Sequence, residues 1–288
     1  MIGIANLKGR IYAKARRFAE RIVQSAEMRQ SVYLGNGMVL SRLYTGDMIY
    51  LDGSDISLTP HLALTGRWED WVTKAFLTRI QPGMTVIDIG ANCGYFTLLA
   101  CQAVGPNGHV VAIDANPRMC ELVSNSVSVN GYLPRSSVVN AAVMDRAGSI
   151  DFAIPKRFKG SATYLREGVD FSAFGDSHDV VKVPAGRLED LVKGRRADVI
   201  KIDAEGAEPL ILKGSAGYLA DIPRLSLFME FAPAFYGSSS GGAELLDQLG
   251  TFGFVARLIT HDGAVVEASR DHLLSLPHCD LLLEKGRG

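Results

Sequence analysis

The sequence predicts an α/β fold in which helices cover a mostly parallel, seven-stranded sheet, and three observations predict it. Five short apolar runs have the length and composition of buried strands. Helical periodicity fills most of the intervals between them, which is the βαβ pattern of a parallel sheet. Two more apolar runs near the end have no predicted helix between them, which indicates a closing antiparallel pair. The predicted strands are 84–89, 109–113, 136–141, 197–203, 224–231, 251–260 and 280–285, and the predicted helices are 94–104, 117–130, 186–193 and 206–220.

Residues 1–30 differ in composition from the rest of the chain. They carry seven Lys or Arg against two Glu, with apolar residues at helical spacing, which predicts a basic amphipathic helix. Two interpretations stay open for this helix. It docks or dimerises, giving a homo-oligomer, or it makes a peripheral contact with an anionic membrane.

The remaining chain divides into a cap and a main domain. Residues 31–80 contain short alternating runs followed by a helical stretch, which predicts an N-terminal strand and helix cap. Residues 81–288 hold the alternating strands and helices. Within them, residues 155–183 are rich in Gly, Ser, Asp and Phe with weak periodicity, so we expect a long insertion that helps to bind a substrate.

Composition excludes several classes of function. The formal net charge of −1 argues against a nucleic-acid partner, which usually selects for a basic excess. Neither an apolar run of spanning length nor a secretory signal is present, so the expected location is cytoplasmic. The four cysteines and six histidines show no metal-binding spacing, so we expect reduced thiols and no zinc site.

The stretch "VIDIGANCGYF", residues 86–96, marks a ligand site at the end of a strand. Open parallel sheets bind ligands beyond the carboxyl ends of their strands. We expect Gly90 and Gly94 to let a ligand approach the backbone, and the first amides of the next helix to accept a negative group. The glycine trio of the dinucleotide fingerprint is missing, which favours S-adenosylmethionine over NAD. Asp88, at the strand end, is then suited to placing the amino-acid part of that molecule.

The ends of the next two strands support the same ligand. Asp114 closes the second predicted strand, where a carboxylate is suited to accepting both ribose hydroxyl protons, although NAD proteins use the same device. Ala141 and Ala142 close the third strand and leave room for a flat adenine. The alternative for Asp114 is a cap on the helix after Pro117. The predicted cofactor-binding residues are Glu69, Asp88, Gly90, Asn92, Gly94, Tyr95, Asp114, Ala115, Asn116, Ala141, Ala142 and Asp203.

Three segments resemble the FkbM-type S-adenosylmethionine-dependent methyltransferases: "VIDIGANCGYFTLLA", "VNAAV" and "IKIDAEGAEPLILKG". The last is the most specific, and the similarity runs from about residue 60 to 232. Asp114 stands where members of that family more often carry Glu. The resemblance implies a class I, Rossmann-like methyltransferase sheet. It also implies methyl transfer to a hydroxyl of a sugar, glycolipid or polyketide-like metabolite.

An alcohol that accepts a methyl group must lose a proton, so a nearby base is expected. "KIDAEGAEPL" gathers acids at the mouth of the fourth strand, and Glu230 is a charge within an apolar strand. We expect Asp203, Glu205 and Glu230 to be the catalytic residues. Glu208 is interpreted as a first-turn helix carboxylate. The histidines His61 and His178 are bases by chemistry alone.

Alternatives remain for both metal and function. A Mg²⁺ ion held by Asp203 and Glu205 is considered and not favoured, because two clustered acids are few ligands without a third from Glu230 or the insertion. Methylation of an amine on a similar scaffold is a second function. A non-catalytic S-adenosylmethionine-binding partner subunit is a third, and the intact acids at 203–208 argue against it.

Overall fold

The computed structural model describes residues 31–166, 171–172, 175–236 and 241–286. The predicted helix at 1–30 lies outside the described residues. The strands are β1 (Val32–Gly35), β2 (Met38–Arg42), β3 (Met48–Asp52), β4 (Thr85–Ile89), β5 (His109–Asp114), β6 (Ser136–Asn140), β7 (Ala142–Val143), β8 (Gly148–Pro155), β9 (Thr163–Tyr164), β10 (His178–Gly186), β11 (Val199–Ile202), β12 (Leu225–Phe231), β13 (Val255–Ile259), β14 (Val265–Glu267) and β15 (Cys279–Lys285). The α-helices are α1 (Thr59–Thr65), α2 (Asp70–Leu77), α3 (Tyr95–Val104), α4 (Pro117–Val129), α5 (Leu188–Leu191), α6 (Glu208–Gly214), α7 (Ala216–Asp221), α8 (Gly241–Thr251) and α9 (Arg270–Ser275).

A central sheet organises the described chain. Its order is β14-β13-β15-β12-β11-β4-β5-β6, and the pairs from β12 to β6 are parallel. The strand β15 is inserted between β12 and β13 and is antiparallel to both. The parallel α/β architecture and the closing antiparallel pair are therefore confirmed. The strand count was wrong: the sheet has eight strands, because the three-residue β14 is too short to show a period.

Several predicted boundaries also need correction. The strand predicted at 197–203 ends at Ile202, so Asp203 lies in the following loop. The helix predicted at 206–220 is two short helices that meet at Ser215, which is buried. Only four residues of the helix predicted at 186–193 are helical. The tail also contains α9, a six-residue helix that the sequence did not reveal.

Apolar side chains fill both sides of the central sheet. All four residues of β11 are buried, as expected for a parallel strand covered on both faces. On one side, Phe76 of α2 contacts Phe96 of α3 and Phe228 of β12 edge-on, each at a ring distance of 5.4 Å. Burying large aromatic side chains at such contacts contributes on the order of 1.5–3 kcal/mol each. The opposite face of the sheet packs against α5 to α9.

Strands β1 to β3 form an antiparallel cap sheet, as the alternating pattern predicted. Its edge strand β3 is fastened to α4 by side chains that bind the free backbone groups. Asn130 Oδ1 accepts from the Met48 amide at 2.9 Å, and Ser126 Oγ accepts from the Tyr50 amide at 2.9 Å. An open strand edge is thereby satisfied by a neighbouring helix. The contacts fix the cap against the main sheet.

The insertion is more regular than its sequence indicated. Strands β8 and β10 pair antiparallel over eight residues, and with β7 and β9 they form a four-stranded insert sheet. The segment 155–183, predicted to be irregular, thus contains the two-residue β9 and residues 178–183 of β10, whereas β8 precedes it apart from Pro155. Only a few inward side chains, such as Phe152 and Val183, are buried, so the apolar alternation was too faint to identify.

None of the helices in the described part of the chain combines the length and apolarity needed to cross a membrane.

Two glycines in the loop after β4 are required by packing. Gly90 has φ +77°, and a Cβ built there would lie 1.7 Å from the backbone oxygen of Asp203. Gly94 has φ +91°, and its Cβ would lie 3.0 Å from Val123 of α4. We expected both glycines to leave room for a ligand. The structure adds a packing reason for each glycine: Gly90 lets its loop approach the backbone of Asp203, and Gly94 lies against the side chain of Val123. Gly90 also lines the cavity described below, as expected, whereas Gly94 does not.

Gly90→Ala is predicted to destabilise the fold by more than about 3 kcal/mol, because the Cβ overlaps a backbone atom in addition to the left-handed strain. Gly83→Ala is the matched control, since Gly83 has φ +87° and no atom within 4 Å of its Cβ. It should lose only the ~1–2 kcal/mol of the strained backbone. Urea unfolding of both variants measures the difference. Equal losses would show that the close approach at Gly90 is not a constraint.

Candidate active site

A cavity of about 310 Å³ opens at the carboxyl ends of β4, β5, β6 and β11. This volume is at the lower end of the range for small-molecule sites. Most of the predicted site residues line it. They are Glu69, Gly90, Asn92, Tyr95, Asp114, Ala115, Asn116, Ala141, Ala142, Asp203, Glu205 and Glu230.

Asp114 is held between two loops by backbone amides. Its Oδ2 accepts from the Asn92 amide and its Oδ1 from the Asn116 amide, both at 2.7 Å. Burial raises the pKa of Asp114 to about 6, and the two amide hydrogen bonds oppose this shift. The left-handed backbone of Asn92, with φ 49°, brings its amide to Asp114. The carboxylate is thus fixed at the cavity wall with acceptor capacity left for a ligand.

Asn116 carries a hydrogen-bond donor that has no partner among the described residues. Its Oδ1 accepts from the Arg118 amide and caps α4, so the helix cap is Asn116 and not Asp114. Its Nδ2 is buried without a hydrogen bond, although the residue lines the cavity. Buried donors in native proteins are normally satisfied. A ligand with an acceptor atom beside Asp114 would satisfy this one.

Three carboxylates from the loop after β11 and from β12 meet at the cavity. Asp203, Glu205 and Glu230, called the acid cluster below, each place an oxygen within 4.8 Å of the other two. Lys201, which is 5% exposed, donates from Nζ to Asp203 Oδ2 at 2.7 Å. The neighbouring carboxylates, Asp203 first, raise the pKa of Lys201 against the effect of burial, so it remains an ammonium ion.

The other acids of this region are pushed toward their protonated forms. Burial, then the charge of Glu230, raises the pKa of Glu205 well above its ordinary value. Burial also raises the pKa of Glu69 to about 8, with Lys201 opposing the shift. At neutral pH the cavity therefore holds carboxyl protons as well as charges. Such perturbed groups are typical of sites that transfer protons.

Glu208 has a structural role, as the sequence interpretation proposed. It is 1% exposed, does not line the cavity, and accepts from the Ala204 amide at 2.9 Å. Burial raises its pKa to about 7. The hydrogen bond shapes the turn that carries Asp203 and Glu205, whose own backbone is left-handed at φ 51°.

Two predicted cofactor contacts, Asp88 and Gly94, lie outside the cavity lining. Asp88 is 1% exposed and accepts from Thr97 Oγ1 of α3 at 2.6 Å, and burial raises its pKa. It lies inside β4, before the chain turns at Gly90, and therefore packs under α3. Gly94 packs against Val123. The histidines His61 and His178 also lie outside the cavity lining, so the structure gives no support to either as a base.

The sequence analysis missed Lys201 and His278. Lys201 was visible only as a charge inside the apolar run "VIKI". His278 Nε2 lies 2.9 Å from Glu230 Oε1 and forms an ion pair when protonated. Glu230 both lines the cavity and meets this basic partner. No local pattern links positions 230 and 278, since β12 and β15 become neighbours only in the folded sheet.

The contact between the insertion and the cap at the cavity was also not predicted. Lys159 and Gly160 of the insertion and Ser57 and Leu58 of the cap all line it. Lys159 Nζ lies 3.1 Å from Asp52 Oδ2, and Ser57 Oγ accepts from the Gly160 amide at 3.2 Å. The predicted contribution of the insertion to a binding pocket thus has a structural basis in this contact.

The donor set suits an S-adenosylmethionine molecule. Asp114 provides acceptors for two ribose hydroxyls, the unpartnered Asn116 amide provides a donor beside them, and Ala141 and Ala142 leave an apolar wall. The sulfonium and amine of this molecule are cationic, which the nearby acid cluster favours. The residues present therefore fit the group that the sequence resemblance implied.

Comparison with known proteins identifies the family. A family model described as the methyltransferase FkbM domain matches residues 88–258. Protein-L-isoaspartate O-methyltransferase 1 of Archaeoglobus fulgidus is 27% identical over 130 residues, covering 41% of this chain and 56% of that protein. Arsenite methyltransferase of Halobacterium salinarum is 42% identical over 57 residues, covering 20% of this chain and 14% of that protein. This chain therefore spans less than two thirds of the length of either relative.

Among solved structures, methyltransferase FkbM from Methylobacillus flagellatus aligns with 77% of this chain and 52% of its own, at a TM-score of 0.42 and 14% identity. The family match covers more than half of the chain under study and includes the loop after β4, Asp114 and the acid cluster. The chain therefore belongs to the methyltransferase FkbM domain family.

Proposed function

We propose that this protein is an S-adenosylmethionine-dependent methyltransferase. It transfers the methyl group of that cofactor to a hydroxyl oxygen of a sugar, glycolipid or polyketide-like metabolite. The observation that carries the proposal is the acid cluster, which lines the same cavity as Asp114. A hydroxyl must lose its proton when it is methylated, and clustered carboxylates with shifted pKa values are suited to accept it. The family resemblance supplies the acceptor class.

The residues around Asp114 would hold the cofactor. Asp114 accepts from the ribose hydroxyls, Asn116 donates beside them, and Ala141 and Ala142 border the adenine. When bound, S-adenosylmethionine supplies a methyl group already activated on a positively charged sulfur. The main work of the protein is then to hold the acceptor oxygen in line, an effect worth ~7–11 kcal/mol in well-oriented reactions.

The acid cluster would take the acceptor proton without a metal ion. Lys201 donates to one oxygen of Asp203 at 2.7 Å and so already supplies a positive charge to the cluster. Among the described residues, only the three carboxylates of the cluster group closely enough to hold a cation. This group includes Glu230, the third acid whose absence was the reason for not favouring Mg²⁺. We keep the metal-free mechanism because the Lys201 ammonium already balances part of the negative charge of the cluster, and Mg²⁺ is an outcome of a test below.

The other expectations about partners remain proposals. A small-molecule or glycan acceptor, no nucleic-acid partner, a homo-oligomer and a peripheral membrane contact through residues 1–30 all follow from sequence alone. The cytoplasmic location likewise stays a prediction. Light scattering and vesicle co-sedimentation of the full chain and of a chain lacking residues 1–30 would decide the oligomer and membrane proposals.

The reaction itself is tested by supplying S-adenosylmethionine with a labelled methyl group to a panel of matched acceptors. Each sugar or polyol in the panel is paired with an analogue in which an amine replaces one hydroxyl. We expect the label on oxygen, located by fragmentation in the mass spectrometer. Label found on nitrogen alone would contradict O-methylation and support the amine alternative.

Asp114→Asn is predicted to weaken S-adenosylmethionine binding by ~1.5–3 kcal/mol, because it removes hydrogen bonds to a charged acceptor. Burial raises the pKa of Asp114 to about 6, so wild-type affinity should increase as the pH rises from 5 to 7 and the carboxyl ionises. Calorimetry measures both effects. The variant should lack the pH dependence, and the exposed Asp179→Asn should behave as wild type. An unchanged affinity in folded Asp114→Asn would remove Asp114 from the ribose site.

Glu205→Gln is predicted to lower the turnover rate by ~10²–10⁴ with little effect on cofactor affinity, since general-base catalysis has this size. Only the ionised form of Glu205 can accept a proton. Because its pKa is raised, this form becomes more abundant as the pH increases, and the wild-type rate should rise with pH. The exposed Glu267→Gln is the control. Full activity of Glu205→Gln and Asp203→Asn would exclude both residues as the base.

Addition of a chelator separates the metal-free mechanism from the metal alternative. We expect the wild-type rate to be unchanged in excess EDTA. Loss of activity that Mg²⁺ restores would show that the acid cluster holds a divalent ion.

A further inference from the structure

The ion pair between Glu230 and His278 connects the cavity to solvent. Glu230 lines the cavity, and its side chain is 25% exposed. The His278 side chain, whose Nε2 lies 2.9 Å from Glu230 Oε1, is 52% exposed. Lys201, the other cationic side chain that contacts the acid cluster, is only 5% exposed. A proton on Glu230 is therefore one hydrogen bond away from the solvent-accessible imidazole of His278.

Among the described residues, the charged groups that act most strongly on His278 are acidic. Glu230 approaches from β12, Asp280 from β15, the strand that follows His278, and Glu69 from the residue that precedes α2. The hydrogen bond that His278 donates to Glu230 is the largest cause of the raised pKa of His278. Asp280 accepts from Trp71 Nε1 at 2.7 Å and is thereby held in place. Glu230 is the carboxylate that contacts the imidazole directly.

We propose that Glu230 and His278 form a relay that carries the acceptor proton out of the cavity. This inference rests on the proposed transfer to a hydroxyl. The acid cluster takes the hydroxyl proton as the oxygen–carbon bond forms and the sulfur–carbon bond breaks, and within the cluster the proton passes to the Glu230 carboxylate. His278, which then lacks an anionic partner, releases its own proton to water. A proton shift across the 2.9 Å hydrogen bond restores the carboxylate and the imidazolium, so one proton enters and one leaves.

The relay predicts that two substitutions of His278 behave alike. His278→Ala removes the imidazole, whereas His278→Gln keeps an N–H donor for Glu230 but cannot pass a proton. Both should lower kcat by ~10- to 100-fold, at or below the lower part of the range for acid–base effects, with little change in KM. Free imidazole should restore part of the rate of His278→Ala, because the position is open to solvent. His272→Gln, on the exposed face of α9, is the control.

Proton NMR of the histidine rings tests the pair without any acceptor. In the full chain, His278 should titrate above its ordinary pKa of 6.5, and Glu230→Gln should move that pKa downward. His278→Gln identifies the resonance. A pKa of His278 that does not respond to Glu230→Gln would overturn the pair and the relay together.

The kinetic outcomes separate the relay from simpler roles. A normal rate in His278→Gln would show that the histidine only positions Glu230, and it would overturn the relay. Transfer by the wild type to amines alone would contradict the proposed hydroxyl chemistry on which the relay rests. In that case an intact response of His278 in the NMR titration would still leave the ion pair standing.

Discussion

The close approach of β4 and β11 at Gly90 and Asp203 is the constraint on which the rest of the site depends. The two strands run parallel with Ile89 beside Ile202, so their loops leave the sheet at the same level. The Asp203 amide donates to the Ile89 oxygen at 3.0 Å, while a Cβ at position 90 would lie 1.7 Å from the Asp203 oxygen. Only glycine at position 90 therefore allows the loop after β4 and the loop after β11 to lie side by side.

The second constraint is the cost of placing several carboxylates in one partly buried cavity. Each acid has a different arrangement that offsets this cost. Asp114 accepts two backbone amides, Asp203 pairs with Lys201, and Glu230 pairs with His278. Glu205 and Glu69 instead have raised pKa values and so tend to hold protons. The cavity thus contains both ionised and protonated acids at neutral pH, which is the condition that proton transfer from an acceptor requires.

The sequence predicted what depends on local pattern. Alternation of apolar runs and helical stretches predicted the parallel sheet, and the ends of three strands predicted Gly90, Asp114, Ala141 and Ala142 at one cavity. Asp203, Glu205 and Glu230 were found for the same reason, since each follows or ends an apolar strand. Asp88 was predicted to contact the cofactor but lies outside the cavity lining. It is two residues before the turn at Gly90, so its side chain packs under α3.

Features that depend on contacts between distant segments were not predictable. His278 reaches Glu230 only because β15 is inserted between β12 and β13. The side of the cavity lined by Ser57 and Gly160 forms only where the insertion meets the cap.

A cofactor bound at Asp114 should present its methyl group to the acid cluster. A crystal structure with bound S-adenosylmethionine tests it most directly. The methyl carbon should lie within roughly 6 Å of a cluster carboxylate oxygen, which leaves room for one acceptor oxygen between them. A methyl group directed away from Asp203, Glu205 and Glu230 would contradict the account.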